Sequence, residues 1–488
     1  MPISSPEFSS GPRKSGPEVV FDIAVLGAGP AGLAAAGAAA AAGARVALID
    51  AGRRIGGQYW RHLAEDDGRH HTGWPIFAGL RRRIDQQPER IENLAGHSVW
   101  QVETLLDNGF RVNTTTDDGQ HSILARTVIL APGAYDRQLP FPGWTLPGVF
   151  TAGGTQALLK GHGVVAGSRI AVAGTGPFLL AVAAGLAGAG AEVVGVFEAG
   201  GAPTAFARHP IAVAQNLGKL GEGAHYARVL ARHHIPYRTR TAVIAARGVS
   251  SVSGVTVAKL DRGWKVVEGS QREIDCDTLA VGYGFTPQLE LAVQLGCATR
   301  LDVDGSLVAV VDGDQRSSAE GVWVAGEATG VGGAALSVTE GEIAGRNAAH
   351  AAVGVRPDLP VMRRLVRRRA SQQRFAAALL QAYPIRPGWM TWSAQDTIVC
   401  RCEEVTLGTI DEAVVELGAA DPRAVKLYAR PGMGLCQGRV CGYATGCLVA
   451  DRAGRTPNLA DLQGVAGRPI AAPITLGQLA EAHHRNTF

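Results

Sequence analysis

The chain lacks any stretch of twenty apolar residues free of a charge or a glycine turn, so no membrane span is expected. The nearest approach, an Ala- and Gly-rich run after Ile23, is bounded by Asp22 and Arg45 and broken by its own glycines. Net charge is only +4, too small to point to nucleic acid. The basic run from Arg363 to Arg369 lies on an expected helix and reads as a solvated face or a partner surface. Cysteine is scarce, seven in 488 residues with five of them after position 399, which is not a secreted disulfide framework. Residues 1–18 are rich in Ser, Pro and Gly but have no apolar core, so they read as a disordered leader and not a signal peptide; the expected compartment is the cytoplasm. Also missing are a Ser-His-Asp set, a nucleophilic cysteine in a plausible pocket and paired carboxylates with distinct roles. His209, His225, His233 and His234 fall at no metal-binding spacing and read as surface residues.

Glycine, in contrast, is plentiful, with 64 residues gathered in turns beside apolar runs. With 46% hydrophobic and 18% charged residues, the chain reads as a globular α/β protein of several domains. The stretch that organises it is Phe21–Asp50: strand, glycine turn, helix and second strand. Gly27, Gly29 and Gly32, with Pro30 and Ala31 between them, supply G-x-G-x-x-G. The first glycine allows a tight turn, the second lets backbone approach a pyrophosphate, and the third lets helix sit close on strand. The helix N-terminus then faces the phosphates. Asp50 closes the second strand where such folds place an acid on the ribose hydroxyls. Beyond it Gly56 and Gly57 let backbone pass a cofactor and Gln58 can bond a flavin or its ribitol, with a plain surface turn as the alternative.

Residues 76–95 read as helix and 98–130 as short strands, and the run from Thr127 brings a buried strand to Ala131, Pro132 and Gly133 beside the first nucleotide. A second strand–turn–helix–strand unit spans Arg169 to Gly200, with Gly174 and Gly176 in place but Leu179 where the third glycine belongs. Its closing Glu198 favours an unphosphorylated ribose, as in NAD or an adenine nucleotide, if that site is filled. Lys160 and His162, in the turn before it, read as a phosphate-holding or, more simply, a solvated loop. Residues 203–234 read as a helical insertion. Near 322 an apolar strand feeds Gly326, Glu327, more glycines and a helix, so that the carboxylate can accept from ribitol hydroxyls while the helix end faces flavin or pyrophosphate. The expected fold is therefore α/β with two Rossmann-like domains, one inserted in the other: 19–150 with 280–355, interrupted by 151–279.

Residues 356–395 read as a linker, and 396–488 as a small helical domain with a C-terminal tail. Here Cys400 and Cys402 form C-x-C, and Cys436 and Cys441 form C-x4-C. Four thiolates from two turns suit a 2Fe-2S cluster or a zinc ion, with Cys447 as a spare. Arg401, Arg430 and Arg439 stand near enough in sequence to offset a cluster's charge.

The GAGPAG turn, the GGQ after the acid, ILAPGAYDR and VWVAGEATG, in this order, resemble the two-dinucleotide-domain flavoproteins that include thioredoxin reductase and the ferredoxin reductases. The resemblance implies FAD at the first site, contacted around Gly27, Gly29, Pro30, Ala31, Asp50, Gln58, Ala131, Gly133 and Glu327, the last standing where that family usually has Asp. The central region has no C-x-x-C, which sets the chain apart from thioredoxin reductase. The tail resembles the bacterioferritin-associated-ferredoxin-like 2Fe-2S domain. The combination, with GTGPFLLAVA, RCEEVT and PGMGLCQGRVC, resembles the A (alpha) subunits of opine oxidases or dehydrogenases. Their relatives are the B-subunit of hydrogen cyanide synthase and the alpha subunits of hydroxyproline or proline dehydrogenase and sarcosine oxidase. That resemblance implies an amine-oxidising partner subunit with its own FAD, in some members a small third subunit or an FMN at the partner interface, and a downstream electron acceptor. The absence of bond-making residues agrees with a relay. The rival expectations are a self-sufficient NAD(P)H-dependent reductase feeding a carrier protein, and a non-enzymatic assembly scaffold.

Overall fold

The computed structural model describes residues 20–106, 109–201 and 217–485. The leader and the start of the insertion, with His209, lie outside the described residues.

Apolar strands feeding glycine turns build two parallel sheets. In the first, Ile91–Ala95, Val46–Asp50, Val20–Leu26, the end of Gly119–Leu130 and Val322–Val324 run side by side and parallel. The long strand Gly119–Leu130 serves two neighbours on one edge. Its first half pairs antiparallel with Phe110–Thr116, which pairs with Ser98–Thr104, and its last three residues pair with Val322–Val324. The alanine-rich helix Pro30–Ala41 is buried on nearly every side. It needs small residues because helix Ala334–Val353 lies directly on it. A Cβ on Gly341 would fall 2.0 Å from the carbonyl oxygen of Ala31, and one on Gly345 2.2 Å from that of Ala35.

The second sheet is also parallel, in the order Tyr237–Thr239, Glu192–Glu198, Arg169–Gly174, Thr278–Gly282, Val149–Thr151. An antiparallel sheet, Thr241–Gly248, Val252–Lys259 and Arg272–Asp275, packs against it. The chain crosses between the two domains through Ala134–Asp136 and returns through Phe285–Pro287, and these two crossing strands pair with each other. The expected domain limits at 150 and 280 are therefore corrected, since both fall inside strands of the second sheet. Val149–Thr151 is three residues long and is held by pairing to a strand far away in sequence, which no local pattern announces.

Two further expectations change. Residues 76–95 are helix only to Asp85, and Ile91–Ala95 is the edge strand of the first sheet. The linker is mostly helix: Leu359–Ala382 starts on Asp358, whose carboxylate accepts from Val361 N, with a proline in its first turn.

The C-terminal domain is the short hairpin Ile398–Cys400 with Val405–Thr406, followed by helices Leu407–Val415, Pro422–Ala429, Gly442–Arg452, Leu459–Ala466 and Leu476–Arg485. It is not a separate bead. Val399, Cys400, Ile410, Cys441 and Leu448 belong to one buried apolar cluster with Ala171, Val243, Trp264, Val281 and Tyr283 of the second domain. The seam is closed by stacking of Trp264 on Trp392, ring centroids 6.1 Å apart, and by Trp392 Nε1 donating to the carbonyl of Trp264 at 2.9 Å. Among the described residues no helix is long and apolar enough to cross a membrane.

Candidate cofactor sites

At the first glycine turn the backbone leaves no room for side chains where it folds and leaves open space where it faces outward. A Cβ on Gly27, whose φ is +109°, would sit 2.2 Å from the carbonyl oxygen of Ala131, and one on Gly32 would sit 1.7 Å from that of Gly27. Around Gly29 the nearest atom is the Cα of Gly57 at 3.9 Å, and around Gly133 and Gly333 nothing lies within 4 Å. Three glycine-bearing loops thus line one cradle with bare backbone, which is what a pyrophosphate and a flavin require of a protein. Pro30 opens the helix and Ala31 is buried behind it. Gln58 is exposed beside Gly57.

Asp50 ties this turn together. Its Oδ2 accepts from Ala28 N and its Oδ1 from Gly52 N, both at 2.6 Å. Burial pushes its pKa up, against the pull of those two amides. Glu327 behaves in a similar way at the far loop. It accepts from the amides of Gly333, at 2.9 Å, and Gly332, where the helix Ala334–Val353 begins, and burial pushes its pKa up to about 7. The expectation separated the carboxylate from the helix end; the structure puts the first on the second. Gly326 stands at φ +81° with its amide bonded at 3.0 Å to Glu340, a fully buried side chain that also takes the Thr329 hydroxyl and Gln373.

The second turn is built alike and filled differently. Glu198 accepts from the Thr175 hydroxyl at 2.7 Å, from Gly176 N at 2.8 Å and from Gly200 N at 2.7 Å, and is completely buried, its pKa pushed up to about 6. Gly174 meets Gly282, where a Cβ would fall 1.7 Å from the carbonyl oxygen. Leu179 is buried in the core, and helix Phe178–Gly188 starts one residue later than its counterpart, with tighter first bonds from Leu179 N to Gly176 O and Leu180 N to Pro177 O. Gly176 itself faces open space.

The cysteine quartet comes together across the C-terminal domain. Cys400 neighbours Cys441 in the interior, and Cys402 neighbours Cys436 nearer the surface, the two pairs being close enough to influence each other's charge. The neighbouring Cys441, helped by amides such as Gly432 N at 3.3 Å, brings the Cys400 thiol down to about 6 and is itself pushed up. Positive φ at Gly432, Gln437 and Gly438 bends the loop around them, and Gly434 has no room for a Cβ because Cys402 would lie 2.4 Å away. Among the described residues no three His, Cys, Asp or Glu side chains converge as on one metal ion. Two pairs of thiols suit a two-iron centre better than a single zinc, whose four ligands must meet at one point. Cys447 lies apart, buried against Tyr443 with its thiol raised to about 11, chiefly by burial.

Residues 21–354 match the family described as pyridine nucleotide-disulphide oxidoreductase. The chain belongs to that family. Residues 398–450 match the BFD-like 2Fe-2S binding domain, which includes all four cysteines. Over 95% of this chain and 92% of the relative it is 32% identical to the A-subunit of opine oxidase from Agrobacterium tumefaciens (strain Ach5). It is also 32% identical, over 86% of this chain and 90% of the relative, to hydrogen cyanide synthase subunit HcnB of Pseudomonas protegens. Within the wider oxidoreductase family it therefore groups with these subunits. The fold is shared with L-proline dehydrogenase from P. horikoshii, at TM-score 0.68 and 21% identity, over 97% of this chain and 82% of that one. The two family matches support FAD and a 2Fe-2S cluster as cofactors of this chain.

Some neighbours of these sites differ from expectation. Arg430 pairs with Glu403 at 3.0 Å and Arg439 with Glu290 at 2.8 Å, so of the three arginines expected to offset a cluster only Arg401, exposed, has no ion pair among the described residues. Lys160 is not on a solvated loop. It lies on helix Ala152–His162, Nζ 6.0 Å from the ring of Tyr59, and burial lowers its pKa to about 8. Glu340 and Gln373 carry no motif and were invisible in the sequence, and Tyr135 and Arg137, inside ILAPGAYDR, were given no role there.

Proposed function

We propose that the chain is the electron-transferring flavin and iron–sulfur subunit of a heteromeric dehydrogenase or oxidase of amines or amino acids of the opine type. A partner subunit with its own FAD would take hydride from the CH–NH bond of a secondary amine, leaving the imine, and this chain would receive the electron pair. Bound here, FAD and a 2Fe-2S cluster supply the means of releasing that pair one electron at a time to two equivalents of a one-electron acceptor, protons leaving to solvent. The observation that carries the reading is that an open glycine cradle and a gathered thiol quartet occur in one continuous body. The names of the relatives, subunits of opine oxidase and of hydrogen cyanide synthase, support the amine substrate and the partner. The chain's own residues bind and orient: Asp50 and Glu327 hold the turns of the cradle, and Gly432 N with Gly434 shape the loop around the sulfurs.

The second nucleotide turn argues against a self-sufficient NAD(P)H reductase. Glu198, the acid that would meet a ribose, is buried with its oxygens already accepting three protein donors. Anaerobic co-purification with the product of the neighbouring gene, followed by flavin and iron counts and amine-dependent dye reduction, tests the reading. The isolated chain is expected to hold flavin and iron yet show negligible amine dehydrogenase activity, and to gain it with the partner. Full turnover by the chain alone, rapid flavin bleaching by NADH, or purified protein without flavin and iron would each overturn it.

A further inference from the structure

Arg439 lies between Cys436 and Cys441 in sequence, yet its side chain belongs to the junction of all three domains. Its Nε makes an ion pair with Glu290 at 2.8 Å, the two side chains only 12% and 13% exposed. Its Nη1 donates to the carbonyl of Cys436 at 3.2 Å, and its Nη2 donates to the carbonyl of Ala471 in the tail. The guanidinium also lies over the ring of Tyr135, its central carbon 6.0 Å from the ring centroid.

Tyr135 is in the outgoing crossover strand, two residues past Gly133 of the FAD cradle, and Glu290 opens the short helix just after the returning strand. One always-charged side chain, paired with Glu290, therefore links a cysteine's backbone, the C-terminal tail and both crossing segments at once. Arg137, deeper in the same junction, donates to the carbonyl of Phe285 at 2.6 Å and to Asp304 at 3.0 Å, and stacks 4.3 Å over Tyr443 of the helix that follows Cys441. That second link anchors the helix, whereas Arg439 bonds the backbone of the cysteine loop at Cys436.

We propose that Arg439 is a positioning residue that clamps the Cys436 loop to the crossover strands, and so sets the separation across which electrons pass between the FAD cradle and the cluster. This rests on the relay reading. It adds that the 2Fe-2S domain is a fixed wedge and not a swinging carrier, and that a contact path runs Gly133, Ala134, Tyr135, Arg439, Cys436.

The test uses the full chain, purified anaerobically, as wild type, Arg439→Gln and Arg439→Lys. Flavin is photoreduced by a laser pulse, and the reduced-cluster electron paramagnetic resonance signal is timed by freeze-quench; iron content and hydrogen exchange at residues 134–136 and 285–290 are measured alongside. In Arg439→Gln, iron content is expected to stay at the wild-type level, cluster reduction to slow at least tenfold and exchange at the crossover strands to rise. In Arg439→Lys, which keeps the ion pair, the rate is expected to stay within about threefold of wild type. Wild-type transfer rate in a fully iron-loaded Arg439→Gln protein would overturn the proposal. Should wild type itself show no flavin-to-cluster transfer, the relay reading falls, and exchange decides the clamp alone: a rise in the glutamine variant reversed in the lysine variant supports it, and unchanged exchange overturns it. If Arg439→Gln does not fold, Glu290→Gln breaks the same bridge from outside the cluster domain under the same readouts.

Discussion

The two glycine turns of this chain solve one steric problem in two ways. In each, an acid at the end of the second strand reaches back to an amide of its own turn: Asp50 to Ala28, Glu198 to Gly176. In each, the residue two beyond the acid donates to it as well, Gly52 in one and Gly200 in the other. They part at the sixth position. Gly32 lets the helix rest on the turn with the cradle open above it, whereas Leu179 is buried in the core and the helix begins later. The acids follow: Asp50 keeps some exposure and Glu198 has none. Both turns present an open second glycine, and the units differ in that one keeps its acid partly exposed and the other buries it.

The strongest way to break this comparison is to give the first turn the second turn's residue. In Gly32→Leu the new Cβ alone would lie 1.7 Å from the Gly27 carbonyl oxygen. The expected loss is about 4 kcal/mol or more, seen as insoluble or flavin-free protein by absorbance per chain. A soluble variant with full flavin would refute the steric account. The reverse change, Leu179→Gly, removes a buried side chain and adds backbone freedom, for an expected loss of about 3–5 kcal/mol in urea unfolding. It should leave first-site flavin in place and confer no reaction with NADH.

The acids sharpen the contrast at a smaller scale. Asp50→Asn is expected to lower flavin retained after gel filtration, and Glu198→Gln to leave it unchanged while lowering stability by about 1–3 kcal/mol, since an amide nitrogen faces a donor. Equal flavin loss in both would erase the distinction. The smallest effect is with pH. The folded pKa of Glu198, about 6, lies above its ordinary 4.5, so the folded state holds the extra proton between these values. Stability from this group is fully present below 4.5 and is lost as pH rises through 6, by about 2 kcal/mol at most. Thermal unfolding from pH 4.5 to 7.5 should therefore show a downward component that is missing in Glu198→Gln; an identical slope would contradict it.

The parts of the molecule that were legible in sequence are those where one short segment carries the whole physical reason. GAGPAG with Asp50, and the strand before Gly133, announce the first unit because turn, helix start and acid all lie within one stretch. The C-x-C and C-x4-C pairs announce themselves because thiols are rare in this chain. What stayed hidden is pairwise. Gly341 and Gly345 matter only because Ala31 and Ala35 face them, and Glu340 only because Gly326 and Thr329 point their donors at it. The helix Leu359–Ala382 was expected around its arginine run, while its start signal, Asp358 and Pro360, went unread. Thr151 and Gly163 likewise bracket the helix that holds Lys160, one accepting from Gly154 N and the other ending it at φ +66°.

The apolar cluster that runs from Trp264 and Tyr283 into Ile410 and Leu448 bears on how the molecule is made. During synthesis the second sheet emerges long before the helices that complete its interior, so a nascent chain shows water, and chaperones, an unfinished apolar wall until its last portion leaves the ribosome. Truncation ahead of Thr397 would therefore yield sticky, aggregation-prone material instead of a tidy flavoprotein, and the tail expressed alone would lack half of the surroundings its sulfurs fold against.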